Sequence, residues 1–257
     1  MTTPPGPPAA ESGGSSALAG YPVTAPPLPG AVTFEQRWAD LAFIHWPVRP
    51  ASVEGLYPAG TRPDVFADGL TYVALIPFVL SSTKVGTKLP VPYFGSFAET
   101  NVRLYSIDAA GRHGVVFRSL ETARLAVVPA MRIAPGVPYT WSKMRVTRRG
   151  DRITYDSVRR WPRPGLRSRL TIAIADVVRP TPLEVWLTAR WGAHTRMAGK
   201  TWWVPNEHAP WPFRAAEVVE LSDELVAAGP VRPAGERLRA LFSPGVRNRF
   251  GRPCVVR

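Results

Sequence analysis

Residues 97–105 read Phe-Ala-Glu-Thr-Asn-Val-Arg-Leu-Tyr, and this stretch has the period-two alternation of a β-strand. Alternate side chains of an extended segment share a face. One face is apolar or small: Ala98, Thr100, Val102 and Leu104. The other face carries one ring followed by four hydrogen-bonding side chains: Phe97, Glu99, Asn101, Arg103 and Tyr105. A carboxylate, an amide, a guanidinium and a phenol in succession are more diverse than a solvated face needs, so we predict that this row points into a ligand cavity.

The row suggests a chemistry and also has a purely structural alternative. In a cavity, Arg103 would clamp a substrate carboxylate and Glu99 would move protons. Alternatively, Glu99 and Arg103 form an ion pair that only fixes the register of the sheet. The sequence leaves both interpretations open.

Segments on both sides of this strand predict a large sheet. Apolar or alternating runs predict strands, and turn residues between two runs predict hairpins. The predicted strands are residues 42–48, 71–80, 97–107, 114–120, 141–147, 152–158, 170–178, 201–204 and 213–219.

Helical signals are fewer and shorter. The spacing of residues 34–41 behind Thr33 predicts a helix, as do residues 122–131 and a segment that begins at Ser222. Residues 181–184, Thr-Pro-Leu-Glu, predict a capped helix start. Many strands with few short helices predict an α+β domain built on a large antiparallel sheet or barrel.

The chain divides into two regions by composition. Residues 1–32 hold eight prolines and many Gly, Ser and Ala, a composition that cannot bury enough apolar surface to offset the entropy of ordering. We therefore predict a disordered tail over residues 1–32 and a single domain over residues 33–257.

Several classes of protein are excluded by what the sequence lacks. The single cysteine, Cys254, rules out an intramolecular disulfide and is typical of a reducing compartment, so we expect a cytoplasmic protein. The first thirty residues have no Lys, no Arg and no apolar segment, so no secretory signal is expected, and no apolar run is long enough to span a membrane. Phosphate-binding glycine loops, dinucleotide fingerprints and nucleophile elbows are absent, so we predict no cofactor.

The four histidines do not form a metal motif. His45, His113, His194 and His208 lack helical i, i+4 pairing and close clustering, so we predict no metal site. We interpret His45 and His208 as pocket or core histidines beside Trp46 and Trp211.

The positive charge is concentrated in one predicted hairpin. The chain has 32 Lys and Arg against 19 Asp and Glu, a net charge of +13. Residues 143–169 hold ten of the cations and two acids, which is net +8. Such a ribbon either binds nucleic acid or is a solvated hairpin that steers acidic ligands toward the barrel, and we favour the second interpretation.

Five ordered motifs resemble one bacterial family. They are Phe43-Ile44-His45-Trp46-Pro47-Val48, residues 99–105, residues 114–120, Pro138-Tyr139, and His208-Ala209-Pro210-Trp211-Pro212. Together they resemble the family known as domain of unknown function 2071, which is similar to the acetoacetate decarboxylase-like superfamily. The resemblance implies an α+β fold with an acetoacetate decarboxylase-like closed antiparallel β-barrel, or cone, a few short helices and a small-molecule pocket.

The same resemblance raises the question of a catalytic lysine. Decarboxylases of the superfamily use a lysine Schiff base. The matching region here, residues 130–141, has no lysine pair, and only Lys143 lies nearby. The resemblance leaves Arg132 as an anion anchor and Glu99 as the acid or base, with Lys143 as a minor Schiff-base candidate.

Two classes of function follow from these observations. The first is a cofactor-independent enzyme, lyase-like, that acts on a small carboxylated or oxo compound by acid–base chemistry. Glu99 would be the acid or base, Arg103 and Arg132 would hold the anion, and Asn101, Tyr105 and Tyr139 would orient it. The second is a non-catalytic ligand sensor, or a nucleic-acid-binding protein that uses the hairpin of residues 143–169.

Overall fold

The computed structural model describes residues 18–91, 96–133 and 136–257. Within these ranges the chain forms fourteen strands, two short α-helices and two 3₁₀ helices of three residues each, Pro50–Ser52 and Glu54–Leu56. In chain order the strands and α-helices are β1 (Phe34–Val48), β2 (Thr61–Pro63), β3 (Thr71–Val85), β4 (Leu89–Pro90), β5 (Phe97–Asp108), β6 (His113–Thr122), α1 (Val127–Ile133), β7 (Tyr139–Arg149), β8 (Arg152–Trp161), β9 (Arg167–Val177), α2 (Pro182–Thr188), β10 (Gly192–Met197), β11 (Lys200–His208), β12 (Arg214–Asp223), β13 (Ala240–Phe250) and β14 (Cys254–Val255).

The strands pair as two rings that share five strands. Strands β13, β1, β3, β5 and β6 are neighbours in that order. On one side, β7, β8, β9 and β12 lead from β6 back to β13, which makes a larger ring. On the other side, β10 and β11 connect β6 to β13, which makes a smaller ring. The shared strands therefore have one face toward each ring.

Two of the pairings correct the prediction of a purely antiparallel sheet. β6 pairs parallel with β7 and with β10. The chain passes from β6 to β7 through α1, and such a crossover returns the chain in its original direction, whereas a tight hairpin reverses it.

The two faces of the shared strands bury different residues. The face toward the larger ring packs an aliphatic core that includes Ile44, Leu75, Leu104 and Ile172. The opposite face carries Phe43, Ile76 and Phe78, which pack with Trp186 and Leu187 of α2. Alternation along one strand thus supplies the core of one ring and the wall of the other.

The predicted helix at residues 34–41 is wrong, because this segment is the first half of β1. The helical spacing of Phe34, Trp38 and Leu41 arises from a bulge at Asp40, which has φ of 49°. Between Ala39, which pairs with Val79, and Ile44, which pairs with Leu75, β1 has one residue more than β3, and Asp40 lies in this interval. The bulge moves Leu41 onto the same face as Trp38, three residues earlier, which imitates a helical period.

Most other predicted elements are confirmed. β3 is buried over its first eight residues, β5 and β6 form the first hairpin, and β7 and β8 form the second. At the start of α2, Thr181 and Glu184 form a complete capping box. The helix predicted from Ser222 is wrong, since β12 continues to Asp223 and the following backbone makes single turns.

The described part of the predicted tail includes a segment that packs against the fold. Tyr21 donates hydrogen bonds from its hydroxyl to the carbonyls of Trp186 and Ala189, and Trp191 donates to the Pro22 carbonyl. Residues 1–17 of the predicted tail lie outside the described residues. None of the described helices has the length and apolar character needed to cross a bilayer.

Candidate functional site

A cavity of about 370 Å³ lies against the smaller ring, on the face of the shared strands that carries Phe43 and Ile76. Each of the seven strands of that ring contributes at least one lining residue. The wall is mostly apolar, with a smaller set of polar side chains: Thr33, Gln36, Glu99, Asn101, Arg103, Tyr139, Thr188, Arg190, Thr195, Asn206 and His208. A few polar groups in an otherwise apolar cavity are typical of a small-molecule site.

The polar row of β5 faces this cavity over three of its members. Glu99, Asn101 and Arg103 line the cavity. Tyr105 is fully buried beside it, and its hydroxyl lies 2.8 Å from Nε2 of His45. No ion pair joins Glu99 to Arg103 among the described residues, since Glu99 bonds Tyr139 and Arg103 bonds a carbonyl of α2. The geometry therefore favours the cavity interpretation of the row over the register interpretation.

Glu99 is a buried carboxyl that has a hydroxyl rather than a cation as its partner. The side chain belongs to a residue that is 3% exposed, and Tyr139 donates a hydrogen bond from its hydroxyl to Oε2 at 2.9 Å. Burial raises the pKa of Glu99 to about 8, although the hydrogen bond from Tyr139 opposes this rise. Glu99 is thus mostly protonated at neutral pH and able to exchange a proton with a ligand.

Arg103 is a cation whose hydrogen-bonding capacity is only partly used. Its Nη2 donates to the Leu187 carbonyl at 3.4 Å, and its Nε is buried without a partner. Oδ1 of Asn101, two residues earlier on the same face, is also buried without a partner. A free donor and a free acceptor in one cavity wall are groups that a bound ligand would satisfy.

Arg190 is a second lining cation, and sequence analysis missed it. Its guanidinium bonds Asp64 and donates from Nε to the Trp186 carbonyl at 2.8 Å, but Nη2 has no partner. Burial alone would raise the pKa of Asp64, but hydrogen bonding from His113 and the charge of Arg190 together lower it, so Asp64 is ionised. Asp64 therefore neutralises Arg190 and leaves Arg103 as the uncompensated cation.

Aromatic rings form one wall of the cavity. Trp38 stacks on Trp211 with a centroid separation of 6.2 Å and an interplanar angle of 12°, and His208 packs against both. Burial lowers the pKa of His208 to about 4, although its Nδ1 donates to the Ala209 carbonyl at 2.7 Å. His208 is neutral at physiological pH, so it adds no charge to the cavity.

Several predicted site residues lie away from the cavity. His45 and Tyr105 are buried behind its wall, and burial lowers the pKa of His45 well below the usual range. Trp46 is on the opposite face of β1 and packs against the core of the larger ring. The described lining thus contains Asn101, His208 and Trp211 from the predicted ligand-binding set, but not His45, Trp46 or Tyr105.

The two residues taken from the α1–β7 region are also outside the cavity. Arg132 is exposed in the last turn of α1, lies 5.0 Å over the Trp161 ring and donates to the Tyr139 carbonyl at 2.8 Å. Arg132 contacts the start of β7 from outside the cavity. Its position therefore does not fit the prediction that it anchors an anion in the pocket. Lys143 is exposed on the face of β7 opposite the buried Ser142. All four lysines lie within the described residues, and none lines the cavity.

The Arg-rich hairpin is partly neutralised by local acids. Arg148 pairs with Asp40, and Arg169 pairs with Asp156 and Glu220. Arg160 lies 5.4 Å over the Trp141 ring. Nucleic-acid binding by this hairpin stays a prediction. Across the described ranges, no three His, Cys, Asp or Glu side chains cluster as metal ligands would.

Some cavity residues follow from strand alternation in the sequence, whereas others have no local pattern that predicts them. The row on β5 has a local pattern, and Tyr139 came from the resemblance. Arg190 sits between Ala189 and Trp191 after α2 with no local signal of function. The sequence predicts Trp38 in a helix, whereas the bulge near Asp40 places Trp38 and Leu41 in the same wall of the cavity.

Similarity to solved structures defines the class of fold. The enduracididine biosynthesis enzyme MppR complexed with pyruvate matches with a TM-score of 0.59 and 11% identity, over 91% of each chain. Acetoacetate decarboxylase from Legionella pneumophila matches with a TM-score of 0.58 and 12% identity, over 97% of this chain and 98% of that one. The chain therefore has an acetoacetate decarboxylase-like fold, built mostly of strands.

The family within this fold class follows from sequence. The model of the domain of unknown function 2071 family, described as an uncharacterized conserved protein, matches residues 35–247. The chain belongs to this family, which confirms the resemblance carried by its five motifs. The uncharacterized protein YqjF of Bacillus subtilis (strain 168) is 27% identical over 190 residues, which cover 73% of this chain and 78% of that protein.

Proposed function

We propose that this protein is an enzyme that uses Glu99 as a general acid–base group on a small carboxylated or oxo compound bound in the cavity. The observation that carries the proposal is a buried, protonated carboxyl paired with Tyr139 in a cavity that also contains an uncompensated cation. Perturbed carboxyls in clefts are frequent at catalytic sites. The pyruvate bound by the fold relative MppR is a compound of this class.

The proposed step is a proton transfer at Glu99. Tyr139 bonds Oε2, which leaves Oε1 for the ligand. When the proton leaves Oε1 for the carbonyl oxygen of the ligand, Glu99 becomes a carboxylate, and the hydroxyl of Tyr139 stabilises that charge. The carboxylate then takes a proton from the carbon beside the carbonyl, and the electrons of that C–H bond form the double bond of an enol, so Glu99 is an acid again. Arg103 holds the ligand carboxylate by a charge-assisted hydrogen bond.

The proposal does not include a Schiff base. No lysine lines the described cavity, and Lys143 is exposed. The proposal treats residues 33–257 as one domain in which the strand rings act as a closed barrel around the pocket. No cofactor takes part in the proposed step.

Hydrogen exchange tests the chemistry directly. Oxo acids of increasing size, from pyruvate and acetoacetate upward, are incubated with the protein in D₂O, and deuterium uptake beside the carbonyl is followed by proton NMR. Wild type should exchange at least one acid faster than buffer, and Glu99→Gln should lose that excess while keeping its fold. Lys143→Met, an exposed change, should exchange like wild type, and borohydride should trap no adduct.

Two results would redirect the proposal. Ligand binding without exchange by any oxo acid would favour a ligand sensor. Equal exchange by wild type and a folded Glu99→Gln variant would remove Glu99 from the chemistry.

A further inference from the structure

The length of the site limits the ligand more sharply than its charge does. Same-face residues on a strand are about 6.8 Å apart, so the Cα atoms of Glu99 and Arg103 lie roughly 13 Å apart. β3 pairs with β5 without a register shift from Phe78 opposite Glu99 to Ala74 opposite Arg103, so β5 is extended along this whole span. The carboxyl and the guanidinium therefore mark two ends of the cavity.

The two side chains are also held apart by their partners. Glu99 bonds Tyr139 of β7. The guanidinium of Arg103 bonds the carbonyl of Leu187 and lies 5.5 Å from the ring centroid of Tyr105, the next same-face residue on the side away from Glu99. A compound as short as pyruvate would reach one end or the other, but not both.

Apart from the amide of Asn101, whose Oδ1 has no partner, the space between the two ends is apolar. Ile76 and Leu120 are the cross-strand partners of Asn101 on β3 and β6, and both line the cavity. At roughly 30 Å³ for each water-sized group, a cavity of about 370 Å³ holds on the order of twelve such groups. That is more than a three- or four-carbon acid occupies.

The charge balance of the cavity side chains sets the number of anionic groups expected on the ligand. Arg190 is neutralised by Asp64, Glu99 is protonated and His208 is neutral, so Arg103 contributes one uncompensated positive charge. Nη2 of Arg190 remains a free donor near the same end, since both guanidiniums lie over the Tyr105 ring, at 4.7 and 5.5 Å.

We propose that the ligand is an elongated monocarboxylate, with its carboxylate at Arg103 and Arg190, an apolar body along β5, and its reacting group on the order of 10 Å away at Glu99. The inference rests on the proposed function of this cavity and names its substrate class. An aliphatic or arylalkyl acid has the required shape, and the aromatic wall at Trp38 and Trp211 suits such a body.

Calorimetric binding of a homologous series tests the inference. The probes are phenylacetate, 3-phenylpropanoate and 5-phenylpentanoate, with pyruvate as the short acid and 5-phenylpentanol as the neutral analogue. Affinity should rise about fourfold for each added methylene group that is buried. Pyruvate and the alcohol should bind at least tenfold more weakly than 5-phenylpentanoate.

Variants test where the carboxylate and the apolar body of the ligand bind in the cavity. Arg103→Met should weaken 5-phenylpentanoate binding about 10- to 100-fold, as expected for loss of a charged hydrogen bond. Arg145→Met, the same change at an exposed arginine, should bind like wild type. Ile76→Phe narrows the middle of the cavity and should weaken the longest acid more than phenylacetate. If that variant does not fold, Leu120→Phe makes the equivalent test.

The outcomes separate this inference from the proposed function. Pyruvate binding as tightly as 5-phenylpentanoate would overturn the elongated ligand while leaving acid–base chemistry intact. A length-dependent, Arg103-dependent series without hydrogen exchange would support the elongated ligand and overturn the chemistry. Equal affinity for the acid and the alcohol would overturn the placement of the carboxylate at Arg103.

Discussion

Glu99 and Asp223 differ from the other well-buried acids of the described chain in having no basic partner, and of these two Glu99 lines the cavity. Asp64 pairs with Arg190 and His113, Asp108 with Arg112 and His194, and Glu121 with Arg159. Each of those carboxylates is held by a cation or a histidine. An unpaired carboxyl that is kept protonated costs stability when it ionises, so its place in a ligand cavity is best explained by chemistry.

The raised pKa of Glu99 predicts a specific pH dependence of stability. The folded carboxyl ionises near pH 8, whereas the ordinary value is 4.5. Between these values the unfolded chain has released the proton and the folded chain keeps it, so the free energy of unfolding falls by about 1.4 kcal/mol per pH unit and then levels off above about pH 8. The total loss is on the order of 5 kcal/mol.

Glu99→Gln should lack this decline. Urea unfolding of wild type and variant at pH 5, 6, 7, 8 and 9 measures the difference, because titrations elsewhere in the chain cancel between the two proteins. A difference that stays constant from pH 5 to pH 9 would contradict the raised pKa.

Tyr139 should act on Glu99 in a defined direction. Its hydrogen bond lowers the pKa of Glu99, against the larger effect of burial. Tyr139→Phe should therefore move the midpoint of the Glu99 titration above that of wild type. Comparing Tyr139→Phe with the Tyr139→Phe, Glu99→Gln double variant over the same pH series isolates the titration. An unchanged or lower midpoint would show that the hydroxyl does not stabilise the carboxylate.

At the scale of residues, sequence patterns predicted which side chains share a face of one strand. They did not predict which residues of other elements those side chains contact. Alternation correctly placed Glu99, Asn101 and Arg103 on one face. It could not show that Tyr105 is withdrawn behind the wall, nor that Arg190 enters the cavity from the end of α2. Those positions depend on contacts between segments far apart in the chain.

At the scale of elements, the bulge in β1 determines which residues form the cavity wall. Asp40 lies in the segment of β1 that bulges against β3, and Gly245 of β13 pairs with Ala39 and has φ of +118°. A Cβ at position 245 would overlap the Trp38 carbonyl oxygen and crowd Cα of Ala39. The close approach of the two backbones at the bulge therefore requires glycine.

Gly245→Ala should destabilise the fold and disturb the cavity together. We expect a loss of about 2 kcal/mol or more in the free energy of unfolding, because the backbone conformation and the space both exclude a side chain. Gly55→Ala, where a Cβ meets nothing, should be close to neutral. Thermal and urea unfolding measure both variants, and equal stability of the two would contradict the role of Gly245.

The prediction of elements succeeded where the signal was local. The capping box at Thr181 and the turn at residues 149–151 are complete within a few residues of sequence, and both are present. The prediction for residues 34–41 failed because their spacing fits a helix, whereas the strand against which β1 bulges, β3, lies about 40 residues later in the chain. Pairing with β3 and β13 decides the element type there, not local preference.

At the scale of the whole molecule, the chain separates its core from its cavity by using both faces of five shared strands. The larger ring is filled by aliphatic side chains, whereas the smaller ring leaves a cavity. The resemblance predicted a barrel with a pocket, but the parallel pairing of β6 with β10 that completes the smaller ring rests on a single residue pair, Ala193 with Val115. No local pattern in the sequence marks such a contact.

The larger ring also depends on a short parallel ladder. β6 and β7 are paired over only three residues of each strand, 120–122 and 139–141. Beside this ladder, Glu121 of β6 is fully buried, accepts a hydrogen bond from Ser142 of β7 at 2.5 Å and pairs with Arg159 of β8. One carboxylate thus joins three successive strands inside the ring.

Removing that carboxylate should destabilise the whole fold. Glu121→Gln leaves the guanidinium of Arg159 buried without a counter-charge, so we expect a loss of about 3–5 kcal/mol in the free energy of unfolding. Replacing both partners, Glu121→Leu with Arg159→Leu, removes the buried charge as well as the bond, and it should recover much of that loss. Glu220→Gln, the same change in an exposed pair with Arg169, should leave urea unfolding almost unchanged. If Glu121→Gln unfolds at the same urea concentration as Glu220→Gln, the buried pair does not hold the three strands together, and the parallel ladder itself closes the larger ring.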